Sequence, residues 1–259
     1  MIAVLSATEH DFYATPLPFV VYSWAKLGVS SIVFIPKGNT PKLDLAITFC
    51  FLRCLPFKFE CEEKRIPTYS QVSRLFGAAL DLHPDTVLIT GDSDMCVFTN
   101  YFNELADGAI HIVGNDLTPD DQYPMCYAAM PVKKWREVMG ITKSYQAHVA
   151  ELIDPIEGLN IRGEQWCYDQ WYLKKKITER GLDDTVFHNR SNGENQFATQ
   201  RADRDGWHFD PYNILDAHLP RPLTDDDNFN KVYELFKIKY PHDDLSWMRE
   251  YQQQYKALL

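Results

Sequence analysis

The stretch Val87-Leu88-Ile89-Thr90-Gly91-Asp92-Ser93-Asp94 runs from an unbroken apolar segment into two carboxylates one residue apart. If the chain stays extended, side chains two apart point the same way. Two carboxylates so held repel each other unless a proton or a cation lies between them. Oxygen-only ligation favours Mn²⁺ or Mg²⁺, with phosphate oxygens filling the remaining positions. The bland alternative is an Asp-rich turn that merely ends a strand. The buried strand before the pair and the Gly91 hinge favour the metal reading, because ligands of open parallel sheets bind beyond the carboxyl ends of the strands.

A third carboxylate, Asp169, stands in Trp166-Cys167-Tyr168-Asp169-Gln170-Trp171-Tyr172-Leu173, which opens a helix that ends near Gly181. Trp166, Leu173 and Ile177 mark its apolar stripe, and Asp169 falls on that face. Such a residue can stabilise the free N–H groups of a first turn by about 1 kcal/mol. It can also serve as a general base toward an acceptor hydroxyl, with partial desolvation raising its pKa. Glu164 is the alternative carboxylate.

The elements that must position these groups follow from periodicity. Ile2 to Leu5, Ser31 to Ile35, Phe57 to Cys61 and Thr86 to Ile89 read as strands. Between them, Val20, Trp24 and Leu27 mark one helix, Leu43 to Cys54 a second, and Val72, Leu75, Phe76 and Ala79 a third. This alternation predicts an α/β fold with a mostly parallel central sheet flanked by helices. It lasts to about Gly114, after which loops and aromatics dominate. Ser191 to Asp227 reads as loop, and two helices close the chain, one on Phe229, Val232, Tyr233 and Phe236, the other on Leu245, Met248 and Tyr255.

A DxD pair after a central strand of βαβ units resembles the GT-A-fold glycosyltransferases, and the likeness extends over about residues 1–175. It is similar also to the glycosyltransferases of large DNA viruses. The resemblance implies a donor half over 1–115 and an acceptor half over 116–259, fused into one domain with a C-terminal helical hairpin. It implies that Ser6, Ala7 and Thr8 meet the nucleotide base and ribose, and that Arg74 reaches the nucleotide. It implies further that Asp92, with Ser93 beside it, contacts ribose or metal, and that Asp94 ligates the metal. A downstream His completes such a shell. His218, in Asp216-Ala217-His218-Leu219-Pro220-Arg221-Pro222, is the candidate, with His208 in reserve, and Arg221 would reach the diphosphate. Asp169 would be the base of an inverting transfer from a UDP- or GDP-sugar to a glycan or glycoprotein hydroxyl. Tyr123, Tyr127, Trp135, Trp166, Trp171 and Trp207 offer stacking platforms for sugar rings, though most are expected in the core.

Composition narrows the alternatives. The 259 residues carry a net charge of −10, with no basic stripe of the kind that grips a nucleic acid. One nucleotide diphosphate remains feasible if a cation supplies the positive charge. The six cysteines form no CxxC pair or zinc spacing, as expected of thiols in a reducing compartment. No stretch is apolar enough for a membrane span, and the N-terminus has no basic n-region, so a cytoplasmic protein is expected. The chief rival is a PIN-like metal-dependent nuclease, but that needs an Asp at the end of the first strand, where Ser6-Ala7-Thr8 stand. A nucleotidyltransferase would carry a Gly-rich basic loop between Ser6 and Phe12, and none is there. A non-catalytic binding module would not need both DxD carboxylates.

Overall fold

The computed structural model describes residues 1–38, 40–142, 153, 167–182, 184–191 and 200–259. In chain order its strands are β1 (Ile2–Ser6), β2 (Ser30–Pro36), β3 (Cys54–Phe59), β4 (Val87–Thr90), β5 (Met95–Val97), β6 (Ile110–Val113), β7 (Ala128–Pro131), β8 (Thr185–His188), β9 (Gln200–Ala202) and β10 (Ile214–His218). Its α-helices are α1 (Asp11–Ala14), α2 (Leu17–Lys26), α3 (Pro41–Phe49), α4 (Ile66–Ser73), α5 (Val132–Met139), α6 (Tyr168–Arg180), α7 (Asp226–Lys239) and α8 (Ser246–Lys256).

Seven strands form one sheet in the order β3-β2-β1-β4-β7-β6-β8, with β7 antiparallel to both neighbours and the other pairings parallel. Strands from both halves of the sequence therefore share it. Alternation along the central strands separates two cores. Ala3, Leu5, Val87 and Ile89 face the layer built by α2, α3, α7 and α8, while Val4 and Leu88 face α4, α5 and α6. All four residues of β4 are buried, as a continuous apolar strand covered on both faces requires. A small second sheet, β5-β10-β9, lies beyond the β4 end.

Local signals set the helix limits. Thr40 caps α3 by accepting from Leu43 N–H, with Pro41 in the first turn. The expected helix from Leu43 to Cys54 stops at Phe49, because Phe51 and Leu52 take left-handed φ values of 50° and 61°. β3 then starts at Cys54, earlier than the expected Phe57. The third helix stays α-helical only to Ser73 and tightens to a 3₁₀ turn over Arg74–Ala79. The supposed loop from Ser191 to Asp227 contains β9 and β10, so His218 stands at a strand end and not in a loop.

Candidate active site

A cleft of about 680 Å³ opens at the carboxyl ends of β1 and β4. Ser6, Thr8, Arg74, Asp92, Ser93, Asp94, Asp169, His218 and Arg221, all singled out from the sequence, line it. Ala7 does not: it is fully buried, and its N–H donates to Phe34 O at 3.0 Å. His208 is not among the lining residues. Glu164 and Trp166 lie outside the described residues.

Asp92 and Asp94 do not share an extended segment. The chain turns over Ser93–Asp94, with Met95 N–H donating to Asp92 O at 3.2 Å, and β5 begins at once. The expectation that spacing alone aims both carboxylates at one point fails for that reason, and each has its own partners. Asp92 accepts from Arg74, which also donates to Asp169 Oδ2 and, at 3.1 Å, to Gly91 O. Asp94 Oδ2 meets His218 Nε2 at 2.9 Å, Arg221 Nη2, and Arg204 Nη2 at 3.7 Å. β10 delivers His218 by pairing it opposite Met95, and Leu219 N–H donates to Asp94 O at 2.9 Å.

The two groups differ electrostatically. Burial pushes the Asp94 carboxyl up, but hydrogen bonding and charge from His218, then Arg221 and Arg204, outweigh it and hold the group below its ordinary range. Asp169 is 1% exposed, and burial raises its pKa although Arg74 opposes the shift. Its Oδ1 accepts from Gln170 N–H at 2.9 Å, so both oxygens are engaged. Burial works against the Arg74 charge, but Asp169 and Asp92 more than compensate and raise its pKa.

Among the described residues no three His, Cys, Asp or Glu side chains form a ready-made metal shell. Asp94 and His218 are joined by a hydrogen bond, and a divalent ion in place of its proton is compatible with their spacing, since neighbouring ligands of an octahedron with ~2.1 Å bonds stand about 3 Å apart. That matches their 2.9 Å. An ion held by few protein ligands and completed by phosphate oxygens is the usual Mg²⁺ arrangement.

Several cleft residues were not anticipated. Arg204 comes from the turn after β9 and donates to His218 as well as facing Asp94. Arg221 packs over the Tyr13 and Phe12 rings, 4.9 and 5.4 Å from their centroids, and its buried Nε has no hydrogen-bond partner among the described residues. These two rings line the cleft, whereas Tyr123, Tyr127, Trp135, Trp171 and Trp207 do not. Tyr127 and Trp135 are core residues at 1% exposure, and Tyr123 is buried. Trp171 lies under Lys175 on the surface, and Trp207 packs on Phe209. Gln170, beside Asp169, also faces the cleft.

The sequence matches no protein-family model and no curated protein. The fold has solved counterparts. A crystal structure of the galactosyltransferase LgtC in complex with donor and acceptor sugar analogs matches with a TM-score of 0.50 over 97% of this chain and 100% of that one, at 13% identity. The structure of an active-site mutant of LgtC matches with a TM-score of 0.50 over 91% of this chain and 95% of that one, also at 13% identity. The chain has a GT-A-like fold. In GT-A-like terms, the cleft lies where the strand ends β1 and β4 meet the β5-β10-β9 sheet. No carboxylate from β1 enters it, so the nuclease alternative gains no support.

Proposed function

We propose that the chain is a metal-dependent glycosyltransferase that moves a sugar from a UDP- or GDP-sugar to a hydroxyl of a carbohydrate or glycoprotein acceptor. One observation carries this reading: the Asp94–His218 pair, Arg204, Arg221 and the Arg74–Asp92–Asp169 cluster all face one cleft at the strand ends. The fold neighbour that holds donor and acceptor sugar analogs adds support.

Asp94 and His218, with Asp92 nearby, would hold Mn²⁺ or Mg²⁺, which when bound neutralises the charge of a departing diphosphate. Arg204 and Arg221 carry forked donors suited to phosphate oxygens. Ser6 and Thr8 stand at the β1 end, where the nucleoside would lie. Ser6 is already fixed by Phe34 O and Ser70, at 3.1 and 2.9 Å. All six cysteines are free thiols, in keeping with the cytoplasm, where we place the protein.

Inversion in one displacement needs a carboxylate free to take the acceptor's proton. Asp169 has the raised pKa for that task, yet both its oxygens already accept hydrogen bonds. Its geometry suits fixing Arg74 better than taking a proton. Inversion therefore requires Arg74 to leave Asp169 for a ligand. The anomeric configuration of the product tests this: an inverted product supports Asp169 as base, and a retained one overturns that role.

The reading itself is tested by calorimetric titration of a panel of nucleoside diphosphate sugars, with Mn²⁺ and then with EDTA. Binding of one donor that requires the metal is expected. Equal binding in EDTA overturns the metal, and no binding by any donor overturns the function.

A further inference from the structure

A further cavity, of about 600 Å³, lies outside the cleft, between α7 and the segment that links β9 to β10. Its walls differ in kind. Trp207, Phe209 and Pro211 of the linking segment form one wall. The two rings meet edge to face, with centroids 5.0 Å apart, and both rest on the large core while staying partly exposed. Opposite them, α7 presents Asp227, Asn230, Lys231 and Glu234, all exposed. Their spacing places them on one helix face. From Asp227 to Ile238 that face runs about 16 Å, at ~1.5 Å per residue. The Glu234 carboxylate is steadied by Lys237 Nζ, which donates to both oxygens at 2.9 and 3.1 Å.

This pairing of walls selects its ligand. Asp227 and Glu234 outnumber Lys231, and the chain carries a net charge of −10, so a nucleic acid or an anionic lipid surface is repelled. An amphipathic partner helix needs a row of apolar residues to lie on, and the α7 wall is mostly polar. A sugar ring matches both walls. Its C–H face stacks on an aromatic ring, and its hydroxyl rim both donates and accepts. Carboxylates accept from hydroxyls, an ammonium donates to them, and an amide does both.

We propose that this groove is a second carbohydrate-binding site, which takes an uncharged glycan chain between Trp207 and the polar face of α7. The site sits close to the cleft. Arg204, which lines the cleft, and Trp207, which lines the groove, are three residues apart, so their Cα atoms lie within about 11 Å of each other. The turn between them is held by Gly206 N–H donating to Asp203 O at 3.1 Å. An acceptor glycan held in the groove keeps its end near the cleft and gains effective concentration there. That gain rests on the transferase reading, whereas the binding does not.

Cellohexaose, maltohexaose, chitohexaose and xylohexaose are titrated calorimetrically into the full chain in EDTA, so that no metal at the cleft contributes. Binding of at least one is expected. Trp207→Ala should weaken it by about tenfold, the scale of one aromatic stacking contact. Asn230→Ala, at an exposed helix position where alanine is well tolerated, should weaken it by about fivefold, the scale of one neutral hydrogen bond. Metal-dependent donor binding should be unchanged in both variants. No binding by any of the four oligosaccharides overturns the proposal, and so does equal binding by the native chain and both variants. The donor titration keeps the two readings apart. A donor that binds while no oligosaccharide does removes the groove alone. An oligosaccharide that binds while no donor does removes the transferase and leaves the groove.

Discussion

Asp94 and Asp216 are both buried carboxylates held below their ordinary pKa, Asp94 by His218 and then two arginines, Asp216 by two arginines, and Asp94 immediately precedes the strand that pairs with the Asp216 strand. Their shells differ. Asp216 is fully buried and receives two bonds from Arg190, at 2.9 and 3.1 Å, and two from Arg201, at 2.9 and 3.2 Å. Its hydrogen-bonding capacity is used up, and the Arg190 side chain is 5% exposed. Around Asp94 the partners converge on Oδ2 alone, and those of Arg204 and Arg221 are 28% and 15% exposed. Asp94 also lines the cleft and Asp216 does not. Charge and burial therefore do not separate a site from a structural clamp. What separates them is a shell that is lopsided and opens onto a cavity.

The comparison breaks most visibly in activity. Asp94→Ala should lower transfer by about 10²-fold or more, the scale of losing one preorganised electrostatic contact to a developing charge. Metal-dependent donor binding should go with it, measured by calorimetry. Transfer that survives Asp94→Ala would make Asp94 a second clamp.

Stability should show the reverse order. Asp216→Ala leaves the buried Arg190 guanidinium, and the partly exposed Arg201 beside it, without their counter-charge, a class of change that costs about 3–5 kcal/mol for a buried pair. Asp94→Ala leaves cations that can turn toward solvent and should cost clearly less. Urea unfolding of the two variants checks this, and equal losses would erase the distinction drawn between the shells.

Acid sharpens it further. Both carboxyls have folded-state pKa values below the unfolded value, so each contributes stability that is complete above about pH 4 and is lost as pH falls through the folded value. Asp216→Asn should flatten acid unfolding below about pH 4 more than Asp94→Asn does, followed by tryptophan fluorescence. Asp169 has the opposite sign, since its folded pKa is raised. Its ionisation costs stability as pH rises from about 4 through that folded value.

How much of this was legible in the sequence depends on how local the cause was. The strand Val87–Thr90 and the two carboxylates after it were readable because burial on both faces leaves an unbroken apolar run. Their aim was not readable, since the turn at Ser93–Asp94 reverses the chain before Asp94 could share a direction with Asp92. His218 was found by residue type while its strand was missed, because Pro211, Pro220 and Pro222 make the flanks look like loop. The helix ending at Phe49 was overrun because Phe51 and Leu52 continue an apolar pattern, and only contacts from distant residues such as Trp247 fix their left-handed turn. Arg204 had no signal at all. Its approach to Asp94 depends on β10 pairing with β5 on one side and β9 on the other, which no local pattern announces.

Arg204 also gives the smallest and most specific prediction. It is partly exposed, donates to His218, and approaches Asp94 at 3.7 Å without a close bond to it. Losing it should cost little stability, because exposed ion pairs contribute roughly 0–1 kcal/mol. If it serves a phosphate, Arg204→Gln should weaken binding of the donor and of the free nucleoside diphosphate by a similar factor, about tenfold for one charge-assisted hydrogen bond. Binding of the nucleoside monophosphate should fall less. If Arg204 instead only steadies His218, the variant should lose metal affinity, and all phosphate ligands should weaken together as the metal is lost. Titrating Mn²⁺ against the variant at fixed nucleotide separates the two roles, because raising the metal restores binding only in the second.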